Sequence, residues 1–217
     1  MNPLSRHLEL EKPSQQHWKS AIRVLRYIRT TKSIGIQYGA KSTQVQISAF
    51  SDANWASSKD DRHSISGVVI LINGAPVIFK SRKKQNVSLS TAEAEYVALS
   101  LCVQEVLWLK SLLGEMGIRI ETAIPIFEDN QGTIAIAKNE GYQSRAKHID
   151  IRHHFIREHV KAKTIDLNYI ESTNQLTDFL TKPITTKQFQ RLLSKSRIQN
   201  CGSRGSVEDT SSIEVRV

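Results

Sequence analysis

Four acidic residues constrain this chain more than any other feature, because each stands where a separate segment begins or ends. They are Asp52 after the run VQISAFS, Glu95 at the start of a long apolar helical pattern, Asp129 after the run IPIFE, and Asp178 within STNQLTDFLTK. Carboxylates this far apart in sequence meet only if the fold brings the segment ends together. Oxygen ligands suit Mg²⁺, and a pair of Mg²⁺ ions suits in-line attack on a phosphodiester. The pattern therefore predicts a metal site that the fold assembles.

Each of these carboxylates also has an ordinary structural explanation. Asp52 could be a turn residue at a strand end, and Asp129 could cap the helix that follows it. Asp178 could pair with Lys182 four residues later, and Glu95 could simply favour a helix N-terminus through the helix dipole. The metal interpretation therefore depends on all four occurring together in this order.

The phase of the long helix favours Glu95 over Glu93 as the site residue. Positions 95, 99, 102, 106, 109 and 113 share one stripe, which is apolar apart from Glu95. Glu93 shares a wetter stripe with Ser100 and Gln104. A carboxylate at the edge of a buried stripe is costly unless it is paired or binds a cation.

Composition narrows the class of partner. The chain has 217 residues and a formal net charge of +9, which favours a polyanionic partner such as nucleic acid. Only two cysteines occur, so a disulfide framework is not expected. The first residues lack the apolar core of a secretory signal, and we expect no run long enough to span a membrane.

Hydrophobic patterns divide the chain into three regions: 1–43, 44–193 and 194–217. The first carries a helix that begins near Ser14, with an apolar stripe of Trp18, Ile22, Leu25 and Ile28. The second predicts an α/β domain with strands over 45–51, 68–72, 76–80, 124–127 and 165–170, and helices over 91–116, 130–138, 149–162 and 173–181. The dipeptide Asn73-Gly74 predicts a hairpin between the second and third strands. The third region is polar and aperiodic, and we expect it to be disordered.

Several motifs in this order resemble the ribonuclease H domain of copia-type long-terminal-repeat retrotransposon Pol polyproteins. They are SDANWASSKDDRHSISGVVILING, FKSRKKQNVSLSTAEAEYVALS, FEDNQGTIAIAKN, SRAKHIDIRHHFIREHV and STNQLTDFLTKP. The earlier stretch QQHWKSAIRVLRYIRTTKSIGIQY resembles the segment that connects reverse transcriptase to that domain. The resemblance covers about residues 1–193 and implies that the chain is a C-terminal part of such a polyprotein.

The resemblance implies a ribonuclease H-like fold, a mixed five-stranded sheet flanked by helices. It also implies hydrolysis of the RNA strand of RNA–DNA hybrids with two Mg²⁺ ions, for which Mn²⁺ can substitute. Asp52 would bridge the two metals, Glu95 and Asp129 would complete the core, and Asp178 would hold the metal that activates water. The implied partners are the hybrid and the reverse transcriptase domain of the same polyprotein, with no membrane. The implied location is a cytoplasmic virus-like particle, with the nucleus as a second compartment, and not the secretory pathway.

Residues near the acidic positions are candidates for substrate contact. The polar ones are Asn54, Ser88, Ser90, Asn130 and Gln131, which could reach 2′-hydroxyls or could equally serve as helix caps. The basic ones form two clusters that would contact phosphates without reading sequence: Lys80, Arg82, Lys83 and Lys84, and then Arg145, Lys147 and Arg152.

One departure from the family pattern concerns histidine. Many ribonucleases H carry one in the loop before the last aspartate, whereas IDLNYIESTNQLTD has none. His148, His153, His154 and His159 lie upstream, where we expect them to be surface or internally bonded side chains rather than a zinc site. Two alternatives stay open: a non-catalytic nucleic-acid-binding remnant and, with less support, an integrase-like nuclease.

Overall fold

The computed structural model describes residues 13–39, 44–55, 63–84, 88, 90–139 and 147–201, with backbone alone for 147–149. The predictions for residues 1–12, for Arg145, for the Lys147 and His148 side chains and for residues 202–217 lie outside it. The chain forms two compact units, one of residues 38–197 and one that combines residues 1–37 with 198–217.

The helices and strands follow one another in a mixed pattern. In chain order they are α1 (Gln15–Thr30), β1 (Ile34–Ile36), β2 (Ile47–Asn54), β3 (Ile65–Ile72), β4 (Ala75–Lys83), α2 (Thr91–Glu115), β5 (Ile124–Glu128), α3 (Gln131–Lys138), α4 (Lys147–Lys161), β6 (Ile165–Tyr169), a 3₁₀ turn (Ser172–Asn174), α5 (Asp178–Thr181), α6 (Thr186–Lys195) and β7 (Ile198–Asn200).

The larger unit is built on a five-stranded sheet with the spatial order β4-β3-β2-β5-β6. Strands β2, β3 and β4 form an antiparallel meander, while β5 runs parallel to β2 and β6 parallel to β5. The expected mixed five-stranded sheet flanked by helices is thereby confirmed. Because β2 and β5 are parallel neighbours, their carboxyl ends meet at one edge of the sheet.

The predicted hairpin joins β3 to β4 through Asn73 and Gly74. Their φ angles are 50° and 81°, and Ile72 pairs directly with Ala75 across the turn. Two central residues with positive φ match the twist of a two-residue hairpin loop. The strands run further than their apolar cores predict, since β2 reaches Asn54 and β4 reaches Lys83. Ladder pairing with β3 keeps these polar ends extended.

Both faces of the sheet are covered. On one face, α2 packs through Leu99, Cys102 and Val106, all fully buried, so the predicted apolar stripe is confirmed. On the other face, Phe50 and Val69 pack with Leu176 and Leu192. By length and composition alone, α2 could also cross a membrane, contrary to the expectation that no segment would reach that length. Its buried residues pack on the sheet, as those of core helices do.

The segment after β6 differs from the prediction of one helix over 173–181. It forms the short 3₁₀ turn, then α5, then the unpredicted helix α6, which Thr185 caps and Leu192 anchors. Helix α5 approaches β3 very closely: a Cβ built on Gly67 would lie 2.6 Å from Thr181 Cγ2. Only a residue without a side chain allows this approach.

The smaller unit contains α1 and a two-stranded sheet. Ser14 caps α1 as predicted, but Trp18, Leu25 and Ile28 are exposed, and no residue of this helix is buried. Strand β1 pairs antiparallel with β7. The expectation of disorder from residue 194 is therefore wrong for residues 194–200. Three-residue strands defined by a distant partner leave no periodic signal in the sequence.

Candidate metal centre

The fold brings the four predicted carboxylates together at the carboxyl ends of β2 and β5. One ligand oxygen each from Asp52, Asp129 and Asp178 lie within 4.8 Å of one another, and so do oxygens of Glu95, Glu128 and Asp129. Asp129 belongs to both groups, so the five side chains form one carboxylate cluster. Asp52, Glu95 and Asp178 are at most 5% exposed.

Glu128 is a site residue that the sequence reasoning missed. It ends β5, whose alternation places Ile124, Ile126 and Glu128 on one buried face. Its Oε2 accepts a hydrogen bond from Ser51 Oγ at 2.7 Å, and its Oε1 accepts one from the Asn130 amide at 3.3 Å. The period of two along the strand was the available signal, but the predicted strand ended one residue too early.

Asp52 and Asp178 are both paired with the ammonium group of Lys182. Lys182 Nζ lies 3.3 Å from Asp52 Oδ1 and 2.8 Å from Asp178 Oδ1. Thr181 Oγ1 donates to Asp52 Oδ2, and Gln188 Nε2 donates to Asp178 Oδ2 at 3.3 Å. The pairing of Asp178 with Lys182, which the sequence left open, is therefore present in addition to the cluster.

The other carboxylates are fixed by donors on the backbone and on a neighbouring loop. Glu95 Oε2 accepts a hydrogen bond from the Ala53 amide at 2.7 Å, which ties the first turn of α2 to the end of β2. Asp129 Oδ2 accepts one from Ser172 Oγ at 2.7 Å. Each carboxylate of the cluster is thus held by at least one donor, so its direction is set before any ligand arrives.

Burial and mutual repulsion dominate the electrostatics of the cluster. Burial raises the pKa values of Glu95 and Glu128, and neighbouring carboxylates raise both further. Burial also raises the pKa values of Asp52 and Asp178, although Lys182 opposes the shift at both. Burial lowers the pKa of Lys182, but its contacts with Asp178 and Asp52 more than reverse this and keep it above its ordinary value. A divalent cation would relieve the same repulsion, so this all-oxygen donor set fits one.

Comparison with known proteins identifies the family. The retrovirus-related Pol polyprotein from transposon RE1 of Arabidopsis thaliana is 35% identical over 195 residues, which cover 90% of this chain and 13% of that polyprotein. The corresponding polyprotein from transposon RE2 of the same plant is 34% identical over the same shares. The chain belongs to the copia-type retrotransposon Pol family. No protein-family model matches it.

Among solved structures, the Pol chain is similar to LC11-RNase H1 in complex with an RNA/DNA hybrid. The TM-score is 0.48 and the sequence identity 14%, over 63% of the Pol chain and 94% of that protein. The Pol chain spans 13% of the length of its curated relatives RE1 and RE2.

The polar residues proposed for substrate contact in the Pol chain already serve as structural donors and acceptors. Ser90 caps α2 by accepting from the Glu93 amide, and Asn130 caps α3 by accepting from the Thr133 amide. Asn54 Nδ2 donates to the Thr181 carbonyl at 3.0 Å and so ties β2 to α5. Gln131, at the start of α3, is exposed.

The basic residues of the Pol chain differ in their contacts and in their exposure. Lys84 Nζ donates to the Ala94 carbonyl at 2.6 Å, and burial lowers its pKa to about 8. Lys80 pairs with Glu105, and Arg152 donates to Ser100 Oγ at 2.7 Å. Lys83 is exposed at the end of β4.

Two described histidines of helix α4 have different environments. His153 is buried, with its ring centroid 4.0 Å from that of Tyr96, and burial lowers its pKa to about 4. His154 is exposed and lies 3.6 Å from Asp150. Within the described residues, the groups able to hold a metal contain no histidine. The expectation that these side chains play an ordinary structural role stays a prediction.

Proposed function

We propose that this Pol chain is a divalent-cation-dependent ribonuclease H, which hydrolyses the RNA strand of an RNA–DNA hybrid during reverse transcription. One observation carries the proposal: Asp52, Glu95, Asp129 and Asp178, four acidic residues of the motifs, lie in one cluster in which all four but Asp129 are buried. A chain that had lost the activity would have had no reason to keep these costly carboxylates together.

In this proposal Asp52, Glu95, Asp129 and Asp178 hold two Mg²⁺ ions, and Mn²⁺ can replace them. Such ions lower the pKa of bound water and stabilise the attacking and leaving oxygens of a phosphodiester displacement. The chain contributes the orientation of the ligands. The Ala53 amide fixes Glu95, Ser172 fixes Asp129, and Thr181 fixes Asp52.

Substrate contact is proposed to rely on charge and shape rather than on base sequence. Lys83 ends β4 and Lys84 follows it, and Gln131 lies directly after Asp129 and Asn130. Exposed Lys83 is proposed to contact a backbone phosphate of the substrate. Lys84 instead donates a hydrogen bond to the Ala94 carbonyl in the first turn of α2. Asn54, Ser90 and Asn130 are proposed to reach 2′-hydroxyls of the RNA strand with their remaining hydrogen-bonding capacity.

The proposed partner is the reverse transcriptase domain of a Pol polyprotein, because the relatives are many times longer than this chain. Residues 1–43 are proposed to be the connection to that domain, with the nuclease in 44–193. The proposed setting is a cytoplasmic virus-like particle.

The test is cleavage of a hybrid with a labelled RNA strand by the purified chain, in Mg²⁺ or Mn²⁺ and in chelator. We expect the parent to cut the RNA strand only when a cation is present. Asp52→Asn and Asp129→Asn should each lose roughly a hundredfold or more of the rate, because the charge of a metal ligand is removed. Asp166→Asn is the matched control, since Asp166 is exposed on β6 outside the cluster.

Two results would count against the proposal. Cleavage that persists in both cluster variants would mean that the carboxylates do not carry the reaction. Binding of the hybrid without cleavage, also after fusion to a reverse transcriptase domain, would identify the chain as a nucleic-acid-binding remnant.

A further inference from the structure

Lys182 directly follows α5 and turns its side chain back into the carboxylate cluster. Its Nζ lies 2.8 Å from Asp178 Oδ1 and 3.3 Å from Asp52 Oδ1. The two aspartate side chains are 5% and 1% exposed, whereas the lysine side chain is 34% exposed. The ammonium group thus bridges two buried carboxylates from the solvent side of the cluster.

The remaining oxygens of these two aspartates are already bonded. Asp52 Oδ2 accepts from Thr181 Oγ1, and Asp178 Oδ2 accepts from Gln188 Nε2. Each aspartate therefore gives one oxygen to a neutral donor and the other to the same ammonium. These two aspartates, with Asp129, are also the side chains whose oxygens lie close enough for a shared cation.

We propose that Lys182 is a built-in counter-ion for the Asp52–Asp178 half of the metal centre, and that a divalent cation must displace its ammonium to bind there. The inference rests on the proposed function only in taking the cluster as a cation site. The physical reason is competition: the ammonium neutralises repulsion between buried carboxylates, and two cations cannot share the same two oxygens.

The partial exposure of Lys182 makes such a displacement feasible. Its four-carbon chain has rotatable bonds and an ammonium that is readily hydrated, so the group can move outward without disturbing α5. Thr181 and Gln188 keep the aspartates oriented while the ammonium leaves. The counter-ion therefore stabilises the cluster before a metal binds, at the cost of weaker metal affinity.

The experiment measures Mn²⁺ binding to the full chain by titration calorimetry, with free Mn²⁺ followed by electron paramagnetic resonance. We expect Lys182→Met to bind Mn²⁺ on the order of tenfold more tightly than the parent, because a competing charge is removed. Lys182→Gln removes the charge but keeps a polar side chain, and it carries the test if the methionine variant does not fold. Lys182→Arg should stay near the parent.

Lys80→Met is the matched control for loss of one lysine charge. Lys80 pairs with Glu105 outside the cluster, so its removal should leave Mn²⁺ affinity unchanged within about twofold because of screening by salt. In chelator, Lys182→Met should melt at a lower temperature than the parent and gain more from added Mn²⁺. A purely structural role of Lys182 would lower stability without tightening metal binding.

The outcomes separate this inference from the proposed function. Equal or weaker Mn²⁺ affinity in Lys182→Met and Lys182→Gln, with binding by the parent, would overturn the counter-ion role alone. Absence of Mn²⁺ binding in the parent and in every variant would overturn the metal centre and the counter-ion together. Binding in the variants but not in the parent would support the counter-ion role most strongly.

Discussion

At the scale of the residue, Glu128 combines burial of its charge with repulsion from neighbouring carboxylates. It is fully buried, its oxygens lie among those of Glu95 and Asp129, and both of its own oxygens accept hydrogen bonds. Its hydrogen bonds orient it, while its charge adds to the repulsion that burial already makes expensive. Glu128 is therefore expected to strengthen cation binding and to weaken the fold when no cation is bound.

Glu128→Gln tests this double effect. The variant keeps the size of the side chain but removes the charge, so we expect Mn²⁺ affinity to fall by roughly tenfold. The same variant should melt at a higher temperature than the parent in chelator. Glu121→Gln, at an exposed position before β5, is the control and should change neither quantity. Unchanged Mn²⁺ affinity in Glu128→Gln would remove Glu128 from the metal centre.

His153 gives the fold a pH dependence of known sign. Burial lowers its pKa from 6.5 to about 4, so between these values the unfolded chain binds a proton that the folded chain does not. The contribution of neutral His153 to the free energy of unfolding is fully present above pH 6.5 and is lost as the pH falls toward 4. We expect His153→Gln to reduce that loss by about 3 kcal/mol, measured by urea unfolding across the range. His154→Gln removes only a smaller contribution to the same shift, so its effect on the pH profile should have the same sign and be smaller.

At the scale of the element, the contact between β3 and α5 positions the C-terminal side of the cluster. Gly67 allows α5 to approach so closely that Thr181 reaches Asp52 and Lys182 reaches both aspartates. A displacement of α5 would move all of these groups at once. The precision of this half of the cluster therefore depends on a residue of β3 that has no side chain.

Gly67→Ala should separate these elements. Its Cβ would lie 2.6 Å from Thr181 Cγ2 and 3.3 Å from Thr177 Cβ, so α5 has to shift. We expect a loss of about 1–3 kcal/mol in unfolding free energy, together with weaker Mn²⁺ binding. Gly114→Ala is the control: nothing lies within 4 Å of its Cβ, so it should stabilise α2 by about 0.5–1 kcal/mol. Wild-type metal binding in Gly67→Ala would show that α5 tolerates the shift.

Sequence patterns predicted some elements well and missed others for physical reasons. The hairpin at Asn73-Gly74 and the buried stripe of α2 carry local signals, and both are confirmed. Strands β1 and β7 are stabilised by a partner more than 160 residues away, which no local window contains. The segment around α5 gains its shape from packing on Gly67, so its division into a 3₁₀ turn and a short helix was not readable.

At the scale of the whole molecule, the formal net charge of +9 favours a polyanionic partner, and the proposed binding to nucleic acid should therefore depend on salt. The contribution of each lysine depends on whether it faces solvent or the protein. Lys83 is exposed, whereas Lys84 donates to the Ala94 carbonyl. Of these two neighbours in sequence, Lys84 contributes to the fold, and Lys83 is the one proposed to contact the substrate.

Hybrid binding in chelator, followed by anisotropy at several salt concentrations, separates the two lysines. We expect Lys83→Met to weaken binding and to reduce the slope of log affinity against log salt by about 1, since one phosphate contact is lost. Lys84→Met should leave the slope unchanged but lower the melting temperature. Equal slopes for Lys83→Met and the parent would exclude Lys83 from the interface.

Motifs and helix phase predicted the four motif carboxylates of the candidate site, but not its other residues. The convergence of Asp52, Glu95, Asp129 and Asp178 follows from segment ends that the sequence marks. Glu128 was missed because the predicted strand ended one residue early, whereas the bridging position of Lys182 depends on side-chain directions at a junction of several elements. The roles assigned to the four motif carboxylates stay predictions until the variants are measured.

The order of the cluster residues along the chain has a consequence for protein synthesis. Asp52, Glu95 and Asp129 are made early, but Asp178, Lys182 and the orienting Gln188 come from the last part of the domain. A ribosome-bound chain that ends before α5 can form the strands of the sheet, yet it presents an acidic pocket with neither its final ligand nor its neutralising lysine. The cluster is thus completed only when α5 and α6 have been made, and a copy of the gene without them would encode a sheet with an open, strongly negative edge.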